Sequence, residues 1–178
     1  MFATVFQDYN IFSLSVLENV LLKENIDETE KLAAVTALKE SGAYDKVLSL
    51  SNGVDTILTK EFAEDGAVLS GGEYQKIAIA RVFAKPCDIA IMDEPSSALD
   101  PIAEYKMYKA MTEACKDKTV IFISHRLSSA VLADKVYLIK DGEIAEHGTH
   151  FELLKKSVIY RDMWNKQAEK YVEKAEVL

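Results

Sequence analysis

Three stretches of this sequence bring chemistry-bearing side chains to the ends of apolar runs. The first, Ile89-Ala90-Ile91-Met92-Asp93-Glu94, delivers two adjacent carboxylates. An apolar strand ending in Asp is a common way for a nucleotide hydrolase to set a Mg²⁺-binding carboxylate beside phosphates, and Glu94 next to it would act on a water. The plain alternative is that Asp93 and Glu94 start a turn before Pro95. The second stretch is Leu69-Ser70-Gly71-Gly72-Glu73. Ser70 and Glu73 satisfy a capping box at a helix start, but that does not explain paired glycines in the first turn, each costing about 1 kcal/mol relative to alanine. Glycines let backbone N–H groups come close to a ligand, and a helix N-terminus favours an anion, so a phosphate is the natural guest. Both readings of this stretch can hold together. The third, Thr119 to Ser124-His125, is an apolar run ending in a histidine. A lone histidine is more often structural than catalytic; beside the strand ending at Asp93, however, His125 and Glu94 would share one rim.

The elements that must carry these residues follow from periodicity and punctuation. Helix 71–84, strand 89–92, helix 101–116 and strand 119–123 alternate, with Asp100 as N-cap and Pro101 at the first helical position. Two buried strands joined by a helix predict a βαβ unit and a parallel sheet, whose C-terminal edge is where ligands bind in open α/β folds. Residues 2–7 read as a short strand ending at Gln7. Residues 13–50 read as helix in short pieces: Ser13 or Ser15 caps the first, Glu28–Glu40 forms the second with Leu32, Val35 and Leu38 near a helical period, and Gly42 and Ser51-Asn52-Gly53 break the zone. Asp141-Gly142 between two apolar runs, 136–139 and 143–145, predicts a hairpin. A Thr149/Glu152 capping box opens a helical tail to about residue 174.

Composition bounds the function. The chain has 178 residues, 49% hydrophobic and 28% charged, one globular domain's worth. A formal charge of −8 gives no overall basic surface, which argues against nucleic acid as a partner. Cys87 and Cys115 lack metal or redox spacing and read as free thiols of a reducing compartment. No apolar stretch approaches the ~20 residues needed to cross a bilayer, and no signal peptide is present, so membrane contact is expected to come through a partner. The strand-like opening at Met1–Phe6, with no lead-in, sets the expectation of a truncated domain.

Taken in order, these residues resemble the ATP-binding cassette (ABC) transporter ATPase domain. Leu69-Ser70-Gly71-Gly72-Glu73 is similar to the family's signature motif, with Glu73 where many members have glutamine, and Ile89–Glu94 is similar to its Walker B strand and catalytic glutamate. Ser97-Ala98-Leu99-Asp100 resembles the D-loop, His125 falls at the switch histidine, and Phe6-Gln7-Asp8 resembles the Q-loop. Glu61–Gly66 and the stretch Gly142–Leu154 are similar to exporter-type members. The family's phosphate loop, G-x-x-x-x-G-K-[ST], is the departure: none of the seven glycines here is followed by lysine.

The resemblance implies an α/β fold, a partial P-loop NTPase (ABC ATPase) with a parallel sheet and a helical subdomain, lacking the N-terminal strands and Walker A. It divides the chain into a Q-loop strand (1–12), a helical subdomain (13–70) and the remainder of the RecA-like core with C-terminal helices (71–178). It implies ATP and Mg²⁺ as ligands and a second ATPase domain closing head to tail. In that arrangement Ser70, Gly71 and Gly72 clamp the γ-phosphate held by the partner, with Leu69 and Glu73 completing the motif. Asp93 orients Mg²⁺, Glu94 polarises the attacking water, His125 braces the γ-phosphate and Asp100 links the two sites. Gln7 senses metal and γ-phosphate and, with Glu61–Gly66, passes closure to a transmembrane domain, which places the domain at the cytoplasmic face of the plasma membrane. In the family the strand carrying the phosphate loop lies beside the strand that here ends at His125. Without that loop the expectation is a chain that does not hydrolyse ATP alone. The alternative is a module supplying only the signature face to another ATPase subunit.

Overall fold

A computed structural model of the chain describes residues 1–95 and 101–175. The chain divides into two compact units, Met1–Ile123 and Ser124–Leu178. The first unit contains parts of all three segments expected from the resemblance.

In the first unit, β1 (Phe2–Val5), β2 (Ile89–Asp93) and β3 (Thr119–Ile123) form a parallel sheet in the order β1-β2-β3. Val5 pairs with Met92, and Asp93 with Ile123. The Ile/Ala/Met run of β2 suits a central strand, with Ala90 and Met92 wholly buried. The connection from β2 to β3 runs through α5 (Pro101–Ala114), which sends Met107, Tyr108 and Met111 inward. Tyr108 meets Phe122 edge-on, ring centroids 5.1 Å apart.

The helical zone supplies a second layer of core. α1 (Val16–Leu21), α2 (Glu28–Glu40) and α3 (Tyr44–Leu48) gather with α4 (Gly71–Ala84) around Val16, Leu38, Leu58, Leu69 and Ile77. Ser15 caps α1 and Asp27 caps α2, each with a reciprocal Glu at the third helical position. Ser13 is not the cap; its hydroxyl pairs with Thr59 Oγ1. The buried face of α2 is Ala34, Ala37 and Leu38, whereas Leu32 is exposed. Because α4 also packs on β1, the sheet and the helical zone share it. β1 stops at Val5, short of the expected Gln7: its pairing with β2 ends at Val5 and Met92, and the chain enters a turn at Gln7.

In the second unit, a 3₁₀ segment (Leu127–Leu132) leads to the hairpin of β4 (Val136–Lys140) and β5 (Glu143–Gly148). Asp141 and Gly142 both take positive φ (52° and 83°), the mirror-image turn whose twist matches the flanking strands. β5 runs three residues past the expected Ala145. Thr149 caps α6 (His150–Lys156), and Ser157 separates it from α7 (Val158–Ala175). Leu127, Ala130, Leu153 and Tyr160 form this unit's core. No helix among the described residues is long and apolar enough to cross a membrane.

Candidate functional site

The in-phase register of the sheet aligns the strand ends. Past Val5 the chain enters the turn holding Gln7, and past Met92 come Asp93 and Glu94, so Gln7 and the two carboxylates follow the same C-terminal edge. Gln7 is exposed; Asp93 and Glu94 are half-buried. Glu94 adopts φ 46°, in the left-handed region, while its N–H still donates to the Ile123 carbonyl at 2.9 Å. A non-glycine residue held there costs ~1–3 kcal/mol and marks a position that surrounding structure forces. The consequence is a carboxylate carried on a sharp break immediately after the strand.

The start of α4 is built as the sequence predicts. Ser70 Oγ accepts from the Glu73 N–H at 3.4 Å and Glu73 Oε2 accepts from the Ser70 N–H at 2.8 Å. That backbone bond, chiefly, holds the Glu73 carboxyl below its ordinary range, and Lys46 Nζ lies 3.3 Å from its other oxygen. Leu69 is buried in the helical core and anchors the motif, while Ser70 and Gly71 are exposed. A Cβ at Gly71 would meet nothing within 4 Å, and its φ is not positive. Neither internal packing nor backbone conformation therefore requires glycine there. An open helix start of this kind is where an anion can be received.

A residue that motif reading missed joins these two parts. Tyr9, two residues after Gln7, donates its hydroxyl to the Gly71 carbonyl at 2.8 Å. Burial pushes the phenol pKa up, which keeps the proton this bond needs. Behind it, buried Asn19 ties the same loop to α4. Its Oδ1 accepts from the Phe12 N–H at 2.9 Å and from Arg81 Nη2 at 3.2 Å, its Nδ2 donates to the Phe12 carbonyl, and its own carbonyl accepts from Arg81 Nε at 2.7 Å. An Asn inside the apolar run Val16–Leu21 was the available signal for this node. The loop after β1 and the helix that opens at Ser70 are thus tied together by side-chain hydrogen bonds.

The stretch 61–66 lies on a tight surface loop. Thr59 N–H donates to the Ala67 carbonyl at 2.8 Å, closing the loop at its base, and any Cβ at Gly66 would sit 1.8 Å from the Thr59 carbonyl. Phe62 on this loop is 83% exposed. His125 belongs to the second unit, exposed, two residues beyond the end of β3, its carbonyl accepting from Gln167 Nε2 at 2.7 Å. Ser97–Asp100, with Asp100 as cap and D-loop residue, lies outside the described residues.

As a cation site, the sheet edge offers Asp93 and the Gln7 amide; no cluster of three or more His, Cys, Asp or Glu residues exists among the described residues. This suits Mg²⁺, which takes one or two protein oxygens and completes its shell with water and phosphate. It does not suit a metal held by an all-protein cage.

Comparison with known proteins identifies the family. Residues 1–97 match the profile of a family described as ABC transporter. The chain is 39% identical over 163 residues to the mitochondrial iron-sulfur clusters transporter ABCB7 of Rattus norvegicus, covering 91% of this chain and 21% of that protein. It is 39% identical over 161 residues to a Staphylococcus aureus protein named for multidrug export as an ATP-binding/permease protein, covering 90% of this chain and 27% of that one. Among solved structures, a bacterial Atm1-family ABC exporter with ATP bound superposes with a TM-score of 0.80 at 31% identity, over 94% of this chain and 28% of the exporter chain. The chain thus spans between about a fifth and a little over a quarter of the length of these proteins.

Proposed function

Since this chain belongs to the ABC transporter family and has that family's ATPase fold in part, we propose that it works as the C-terminal portion of the ATP-binding and hydrolysing domain of an exporter. In that setting it couples ATP hydrolysis to transport through a transmembrane domain at the cytoplasmic side of the membrane. The observation that carries the reading is the shared sheet edge, where Asp93–Glu94 and the Gln7 turn leave strands in register. ATP supplies the transferred phosphoryl group, and Mg²⁺ neutralises charge on its oxygens.

The chain's own residues then divide the work. Asp93, at the end of a buried strand, and the Gln7 amide are the residues that would hold Mg²⁺. Glu94, turned off the strand by its left-handed backbone, accepts a proton from the attacking water. Gly71 and Gly72 present N–H groups, and Ser70 its hydroxyl, at an open helix start to the γ-phosphate held by a second ATPase domain. Leu69 anchors that turn in the core, and Glu73 locks it through the cap. His125 braces the γ-phosphate, and Asp100 connects the two sites across the dimer. Tyr9 carries the state of the Gln7 turn to Gly71, so that one nucleotide site is sensed at the face presented to the other. The tight 61–66 loop, with Phe62 exposed, is the contact to the transmembrane domain.

One sequence observation favours a second reading. These 178 residues contain no glycine followed by lysine, and so no cradle for phosphates of their own. A module that lends only its signature face to another ATPase subunit would look the same. Phosphate release separates the readings when measured for 1–178 alone and after addition of a segment carrying the family's phosphate loop. The exporter reading expects no turnover alone and ATP-dependent turnover with the segment. Turnover by the bare chain, stopped by Glu94→Gln, would defeat the claim that the phosphate loop is required. No turnover under either condition would favour the lending module.

A further inference from the structure

The turn that carries His125 is held from near the far end of the sequence. Gln167, half-buried on α7, donates from Nε2 to the His125 carbonyl at 2.7 Å, while its Oε1 accepts from the Leu127 N–H at 2.9 Å. One carboxamide thereby satisfies an acceptor and a donor two residues apart, a service usually given by a neighbouring strand. The turn is stiffened from inside as well. Ser124 Oγ accepts from the Arg126 N–H at 2.9 Å, and Ser129 Oγ donates to the Arg126 carbonyl at 2.9 Å. Leu127 is itself a core residue, packed with Ala130, Leu153 and Tyr160.

α7 can act as a clamp because it is seated. Tyr160, wholly buried, Trp164 and Gln167 recur at i, i+4 and i+7, which places them on one helix face. Tyr160 donates its N–H to Ser157 Oγ at 2.9 Å at the helix start, and its hydroxyl pairs with His150 Nδ1 at 2.8 Å. The two aromatic residues fix the helix, and Gln167 reaches from that fixed face to the histidine's backbone. A group that must meet a transferring phosphoryl within a few tenths of an ångström needs its backbone held, since phosphoryl transfer is catalysed largely by positioning.

We propose that Gln167 is a positioning residue for ATP hydrolysis: acting through the backbone on both sides of His125, it sets where the imidazole stands. The C-terminal helix is then part of the catalytic apparatus. The inference rests on the reading of His125 as the residue that braces the γ-phosphate.

Two substitutions separate the clamp's two bonds. Gln167→Met keeps the length and loses both. Gln167→Glu keeps the acceptor for Leu127 N–H but loses the donor to the His125 carbonyl. Amide hydrogen exchange at Leu127 is followed in the 178-residue chain; kcat and KM for ATP are followed in the chain joined to a phosphate-loop segment. With Gln167→Met, Leu127 should exchange about tenfold faster, as expected for loss of modest hydrogen bonds, and kcat should fall about tenfold with KM unchanged. With Gln167→Glu, Leu127 stays protected while kcat still falls. Its kcat relative to wild type should then rise as pH drops towards the carboxyl pKa, because the neutral acid restores a donor–acceptor pair of the same shape. An unchanged kcat in Gln167→Met overturns the proposal. So does a fall in kcat that comes with a raised KM and lost thermal stability in both variants, since that is general loosening. If the wild-type joined protein does not hydrolyse ATP, the reading of His125 fails and takes this role with it, whatever the Leu127 amide does.

Discussion

At Glu94 the backbone enters the left-handed region at the residue proposed to activate water, and it does so immediately before Pro95. A residue preceding proline is pushed towards extended backbone, so two local preferences are overruled at one position. The residue types of the site were legible in the sequence because an apolar run ending in two carboxylates, or paired glycines after a capping serine, is a local pattern. The conformation of Glu94 was not legible, because it depends on the Ile123 carbonyl, 29 residues away, receiving its N–H. In a complete domain, Glu94→Gln should lower hydrolysis by roughly 10²–10⁴-fold, the usual contribution of a general base, and leave ATP-dependent dimerisation intact or stronger. Asp93→Asn should also weaken Mg²⁺-dependent ATP binding; equal loss of binding in the two variants would contradict this division of roles. Glu94→Gly makes a separate point. By relieving the left-handed strain it should raise thermal stability by ~1 kcal/mol while abolishing turnover, which unfolding and phosphate-release measurements on the same sample would establish.

Among the elements, those announced by caps were read most accurately. α4 and α6 begin where Ser70 and Thr149 place them, because the capping box is a bond between residues three apart and needs no tertiary context. Truncating the cap with Ser70→Ala should cost about 1 kcal/mol, seen as a lower unfolding midpoint in denaturant. Elements whose limits depend on a distant partner were read less well. β1 ends early, where its pairing with β2 stops at Val5, and the inner face of α2 is Ala34, Ala37 and Leu38 against α4, with Leu32 left outside. In the second unit α6 and α7 meet through His150, which is buried against Phe151, Tyr160 and Trp164 and accordingly has its pKa pushed below the ordinary histidine value. A depressed histidine pKa means that the neutral ring is the form the fold favours. The stability it contributes is present above the ordinary value and is lost as pH falls through the depressed one. Acidification from pH 7 to 5 should therefore loosen this unit. Trp164, the chain's single tryptophan and 4.6 Å from the His150 ring, reports it directly. Its emission should change with a midpoint below the ordinary histidine pKa, and the step should vanish in His150→Phe. A midpoint at or above that value would show the ring to be solvated.

For the molecule as a whole, the question is what these residues can hold together without the phosphate-loop strand. β3 pairs only with β2 among the described residues, and it lies at the edge of the sheet with Ile121 and Ile123 46% and 51% exposed. A strand of β-branched apolar residues with an unpaired side is a template for another chain. Uncovered apolar area at ~25 cal/mol per Å² soon consumes the 5–15 kcal/mol by which a domain of ordinary size is stable. This edge was legible, since the family places the phosphate-loop strand against the strand that ends before His125, and no such loop occurs in the sequence. The remaining contacts are internal: α4 is held by α1, α2 and β1, and the βαβ unit by Tyr108 on Phe122. These parts should keep their arrangement while the edge stays a liability. The chain 1–178 expressed alone should therefore be marginally stable and self-associating, and co-expression with a segment carrying the phosphate-loop strand should raise its solubility, sharpen its unfolding transition and confer ATPase activity. The two samples are compared by sedimentation, by denaturant unfolding and by phosphate release. If 1–178 alone is monomeric, unfolds cooperatively and gains nothing from the segment, β3 is not an edge awaiting a partner, and the chain functions as a self-sufficient module.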